Sequence, residues 1–186
     1  MKIYHVSKTT DLKFIEPRIS THSKPWVYAI NNLTTALIFG AQKDDFDFIL
    51  GINKKGQTVL EETYPNAFEI IYKEKACSIY ELENSGFCED KTSWKAEIVS
   101  ENKTKVIRET KINDLKSVLE NEIKKGNLVL NKFENTKEYK TKVSKHITDR
   151  LIRFNILDKE IRPSIQEHFG EIIKQLQKIR SGDYLT

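Results

Sequence analysis

Three short apolar runs each carry one side chain that can bind a polar ligand: His5 in Ile3-Tyr4-His5-Val6-Ser7, Tyr28 in Trp26-Val27-Tyr28-Ala29-Ile30, and Glu97 in Glu97-Ile98-Val99-Ser100. An imidazole, a phenol and a carboxylate offer hydrogen bonds, a flat ring face and a negative charge. Taken one at a time, each has an ordinary structural reading: a strand histidine hydrogen-bonded in place, a tyrosine filling core with its hydroxyl turned to a neighbour, and a solvated carboxylate. The two cysteines, Cys77 and Cys88, form no CxxC pair and have no histidine-rich segment nearby, so they read as structural thiols and no metal site is expected.

The elements that must position these groups follow from local pattern. Residues 2–6 are rich in strand formers and end at the polar turn Ser7-Lys8-Thr9-Thr10-Asp11, before the run Leu12 to Ile15. Pro17 and Pro25 bracket Arg18 to Lys24, where two prolines and several hydroxyls disfavour a regular element and shape a rim. After the strand Trp26 to Ile30, Asn32 is placed to cap a short helix in which Leu33, Ala36 and Leu37 recur at helical spacing up to Gly40. Phe46 to Leu50 and Thr58 to Glu62 flank Asn53-Lys54-Lys55-Gly56 as a hairpin. Further strands are expected at Phe68 to Lys73, Ser78 to Leu82, Ala96 to Ser100 and Val106 to Ile112. From Asn113 the period lengthens: Leu115, Val118, Leu119 and Ile123 share a helical face, and two amphipathic helices follow around Tyr139 to Arg150 and Ile165 to Ile179, with Pro163 admissible only in a first turn.

At 186 residues the chain is long enough for one domain with a core and a modest appendage. Its 31 Lys and Arg against 27 Asp and Glu give a net charge of +4. That excess lies from Gly126 onward, where 12 basic residues meet 8 acidic ones, and it reads as solvated helix surface because phosphate binding needs clustered charge. No signal-like or membrane-length apolar stretch is present, so a cytoplasmic protein with reduced cysteines is expected.

Order and context tie the three runs together. Tyr4-His5-Val6-Ser7 resembles the first motif of the His-Tyr-Glu ADP-ribosyltransferases, the diphtheria toxin and poly(ADP-ribose) polymerase type, with Val6 where that family has glycine. Tyr28-Ala29-Ile30-Asn31-Asn32 ahead of the Leu33 to Phe39 helix resembles the second motif, and Glu97-Ile98-Val99-Ser100 the third. Glu101, Glu61 and Glu62 remain competitors for the acidic position. The resemblance covers about residues 1–115. It implies an α+β fold, a split mixed β-sheet with short helices; the expected division is such a domain over residues 1–125 and, outside the resemblance and read from its helical periods, a helical C-terminal appendage over residues 126–186.

The resemblance also implies a function: NAD-dependent transfer of ADP-ribose to a protein or nucleic acid, with NAD consumed as substrate. In that reading His5 bonds ribose hydroxyls, the backbone beside it at Val6 and Ser7 grips the nicotinamide carboxamide, and Tyr28 stacks on the nicotinamide ring. Glu97 binds the nicotinamide ribose and stabilises the positive charge that grows as the glycosidic bond breaks. Arg18 would meet a phosphate, with Ser20, Thr21 and His22 as weaker members of the same rim. Two alternatives stand beside this: an RNA 2'-phosphotransferase-like enzyme, and a noncatalytic module that uses the same pocket or the helical tail to bind a partner.

Overall fold

A computed structural model describes residues 2–19, 24–41, 43, 46–92, 94–153 and 163–181. Its elements are β1 (Ile3–Ser7), β2 (Phe14–Ile15), β3 (Arg18–Ile19), β4 (Pro25–Ile30), α1 (Leu33–Leu37), β5 (Phe48–Ile52), β6 (Thr58–Glu62), α2 (Ala67–Tyr72), β7 (Cys77–Leu82), β8 (Glu97–Ser100), β9 (Thr104–Ile112), α3 (Leu115–Lys124), β10 (Leu128–Asn131), α4 (Lys137–Arg153) and α5 (Pro163–Ser181). The fold class is α+β.

The chain divides into two compact units that interleave in sequence. One comprises Met1–Lys43, Asn53–Thr58 and Phe68–Val129, the other Asp44–Ile52, Val59–Ala67 and Leu130–Thr186. A single cut at residue 125 therefore separates neither unit, because the second contains most of the β5–β6 hairpin as well as α4 and α5.

The first unit is built on a seven-stranded sheet of order β2-β9-β7-β1-β4-β3, with β8 also paired to β4. The six pairings of this sheet are all antiparallel. Side-chain alternation supplies the core. Ile3, Val27, Ala29, Tyr80, Leu82 and Ile98 project from successive strands onto one face and form a single buried cluster with Ile15. On α1, the Asn32 side chain accepts the Thr35 N–H at 2.9 Å, the cap its position in the sequence foretells. Leu115 and Leu119 of α3 are buried one turn apart, and Asp114 caps that helix through the Ser117 N–H.

The second unit contains β5, most of β6 and the end of β10, which form a three-stranded sheet of order β10-β6-β5. Val143, Ile147 and Leu151 make the buried stripe of α4, and Phe169 and Ile173 are buried on α5. Tyr64 stacks on His168 with ring centroids 3.9 Å apart and donates its hydroxyl to the buried Asp47 carboxylate at 2.8 Å.

Three sequence-based expectations change. Residues 67–72 form α2 instead of a strand, because Ala67, Phe68 and Tyr72 lie on one helical face and bury while Ile70 stays exposed. Arg18 and Ile19 form a short strand inside the segment expected to be irregular, held by pairing with Trp26 and Pro25. The tail is not helical from its start: Leu128–Asn131 pairs with β6. No helix among the described residues is long and apolar enough to cross a membrane.

Candidate functional site

His5, Tyr28 and Glu97 sit on β1, β4 and β8, three consecutive neighbours in one sheet. β1 pairs with β7 along its whole length but meets β4 at one register pair, Tyr4 with Ile30. Beyond that pair the His5 side chain supplies the contact: its Nδ1 lies 2.8 Å from the Tyr28 carbonyl oxygen. A carbonyl can only accept, so Nδ1 carries the proton and Nε2 is left with a lone pair that can accept from a hydroxyl.

Burial is the largest influence on His5 and pulls its pKa below the ordinary 6.5, the bond to Tyr28 opposes this, and the nearby Arg18 charge lowers it again. The ring is therefore kept neutral, as the acceptor role of Nε2 requires. Because the folded pKa is depressed, the unfolded chain binds this proton first. The associated stability is present above the unfolded value and is lost as pH falls toward the folded one. An NMR titration of the imidazole is expected to place His5 below 6.5 and to show the value rise in Arg18→Gln, since that change removes the repelling charge. An unmoved value would contradict the proximity of Arg18.

The β4–β8 register sets Tyr28 opposite Val99 and Ile30 opposite Glu97, so Tyr28 and Glu97 are diagonal neighbours on one face, their Cα atoms roughly 7–8 Å apart. Both are half-buried. Trp26 shares that face, edge-on to Tyr28 at 6.2 Å, and Arg18 pairs with Trp26 from β3. His5 belongs to the opposite face by strand alternation, with Ile3 and Tyr80. The structure thus joins the imidazole to the backbone of Tyr28, and places the phenol and the carboxylate together on the other side of the sheet.

The remaining candidates resolve individually. Val6 lies opposite Ile79 and is half-buried, and Ser7 accepts the Thr9 N–H on its hydroxyl at 3.0 Å, which shapes the turn after β1. Glu61 and Glu62 belong to β6 of the three-stranded sheet: Glu61 pairs with Lys142, and Glu62 accepts from Lys132 and the Phe133 N–H. Glu101 follows the end of β8 in a bend and is exposed. Glu97 is the acidic competitor that stands in the ladder. Ser20, Thr21 and His22 lie outside the described residues. Burial pushes the Cys77 thiol up to about 11, whereas Cys88 is exposed; neither is in a disulfide.

An aromatic pair beside Glu97 escaped the sequence reading. The Glu97 N–H donates to the Trp94 carbonyl at 3.0 Å, and the Trp94 ring lies 5.6 Å from Phe39, over which Lys43 is set at 4.5 Å. Phe39 and Trp94 are far apart in sequence, and nothing local announces their contact.

No family model, no curated protein and no solved structure matches this chain.

Proposed function

We propose that this chain is an NAD-dependent ADP-ribosyltransferase acting on a protein or nucleic acid. The observation that carries the reading is the His5 Nδ1 bond to the Tyr28 carbonyl, which locks a neutral imidazole with Nε2 as acceptor where β1 and β4 part. It is supported by Glu97 on the next strand, on the face of Tyr28, and by the Phe39–Trp94 aromatic surface beside it. A flat ring and a growing positive charge are what such a surface and such a carboxylate suit.

In this reading Nε2 of His5 accepts a ribose hydroxyl and Arg18 supplies positive charge for the pyrophosphate. Glu97 holds its negative charge beside the ribose carbon from which nicotinamide departs with the bonding electron pair. The acceptor nucleophile then bonds to that carbon and gives up its proton. A chromatographic assay of nicotinamide release with mixed protein and RNA acceptors, run beside calorimetric titration with NAD, is expected to show both turnover and binding. Absence of both removes the proposal.

The placement of His5 on the face opposite Tyr28 and Glu97 favours a second reading, a noncatalytic module of the same ancestry. The branched Val6 side chain beside the imidazole points the same way. NAD binding with no release of nicotinamide is the result that selects it.

A further inference from the structure

On the sheet face that carries Tyr4, Ile79 and Glu81, α1 and α3 do not close fully over the strands. They leave a groove of about 470 Å³ floored by Leu37, Ile79, Ile112 and Val118. A second cleft of about 420 Å³ adjoins it, and the two share Leu33, Glu122 and Lys125. Both volumes lie within the range of about 300–1,000 Å³ usual for small-ligand sites. Neither lining includes His5, Tyr28 or Glu97, so this feature is separate from the site described above.

The two chambers differ in chemistry. The first is apolar below and neutral-polar at its rim, where the Asn113 and Asn121 carboxamides bond no other described side chain, and the Tyr4 phenol borders the same space. Carboxamides offer a donor and an acceptor each, the complement of the edge of a heterocyclic base. The second chamber is polar, with Asn32, Gln57 and Asn127 around Lys55.

Charge decides what the pair of chambers accepts. Arg108 is paired with Glu81, Lys111 with Asp11, and Lys125 with Glu122 at 2.8 Å. The Glu122 carboxylate is buried and further satisfied by Thr34 at 2.9 Å and Asn127 at 2.8 Å. Lys55 is the one cation of the two linings without a carboxylate partner among the described residues. The first chamber therefore has no uncompensated charge for a ligand to meet, and the second has a single positive one. Leu33, at the border and 44% exposed, leaves an apolar wall between them for a sugar to cross.

We infer that this paired groove binds a free nucleoside monophosphate, its base on the apolar floor against Asn113, Asn121 and Tyr4, and its phosphate at Lys55. The inference does not depend on NAD turnover. It is tested by two-dimensional NMR titration of the full chain with AMP, GMP, CMP and UMP, with adenosine and inorganic phosphate as controls. At least one mononucleotide is expected to shift Tyr4, Leu33 and Val118 with millimolar affinity or better, its nucleoside more weakly. Lys55→Ala is expected to weaken the mononucleotide by about tenfold, a loss typical of one charge-assisted contact. Asn121→Ala, on an exposed helix position, is expected to weaken the base contact without unfolding the protein. Glu97→Gln is expected to leave this affinity unchanged, which separates the groove from the NAD reading. The inference is overturned if no mononucleotide shifts these residues, if the shifts centre on Tyr28 and Glu97, or if Lys55→Ala binds as the parent does.

Discussion

Glu97→Gln is expected to slow nicotinamide release by about 10²–10³-fold, roughly 3–4 kcal/mol of barrier, while NAD affinity stays within a few-fold of the parent. The register of β8 fixes Glu97 against Ile30 and diagonally from Tyr28. Gln has the same shape and keeps the hydrogen-bonding ability of one oxygen, so ground-state contacts with a ribose hydroxyl largely persist. What disappears is the negative charge, and that charge matters most where positive charge develops, in the transition state. The loss therefore falls on kcat. Tyr28→Ala gives the opposite split: removal of a stacking face weakens binding of the uncharged and the developing state alike, so KM rises with a smaller change in kcat. If Glu97→Gln released nicotinamide at the parent rate, the carboxylate would have no role in bond cleavage and the acid would have to be sought elsewhere.

The ladder explains which parts of this site could be read from residues alone. β1, β4 and β8 announce themselves as apolar runs rich in β-branched and aromatic residues, and the helix after β4 is marked by Asn32 and the spacing of Leu33, Ala36 and Leu37. α3, α4 and α5 carry sustained 3.6-residue periods. Which face each strand side chain takes is a different kind of information. It depends on the parity of the register, and Tyr4 opposite Ile30, instead of His5, is what sends the imidazole to the far face from Tyr28. Parity is set by tertiary packing of Ile3, Val27 and Ala29 into one cluster, and no local pattern encodes it. The Phe39–Trp94 contact and the compensation of Lys125 by Glu122, which shapes the charge of the groove, have the same origin in packing.

Tyr72→Ala is expected to destabilise the protein by about 3–5 kcal/mol, the usual cost of deleting a large buried aromatic side chain. Tyr72 is fully buried, its ring 5.1 Å from Phe68, and its hydroxyl donates to the Ile38 carbonyl at 2.9 Å. The sequence Phe68-Glu69-Ile70-Ile71-Tyr72 looks like a strand by composition, yet only a helix brings Phe68 and Tyr72, four positions apart, onto one buried face while turning Ile70 outward. Tyr72 also secures the turn Ile38–Gly40 that follows α1, where space is so tight that a Cβ on Gly40 would lie 2.7 Å from the Cys77 Sγ and 2.8 Å from a Leu115 methyl. Tyr72→Phe separates the two contributions: it keeps the ring and removes only the hydroxyl's bond to the Ile38 carbonyl, at about 0.5–1.5 kcal/mol. Urea midpoints of the three proteins should therefore fall in the order parent, Tyr72→Phe, Tyr72→Ala. Because the turn carries Phe39 toward Trp94, Tyr72→Phe is also expected to alter Trp94 fluorescence before global unfolding. Equal midpoints for all three would mean that residues 67–72 do not pack as this helix.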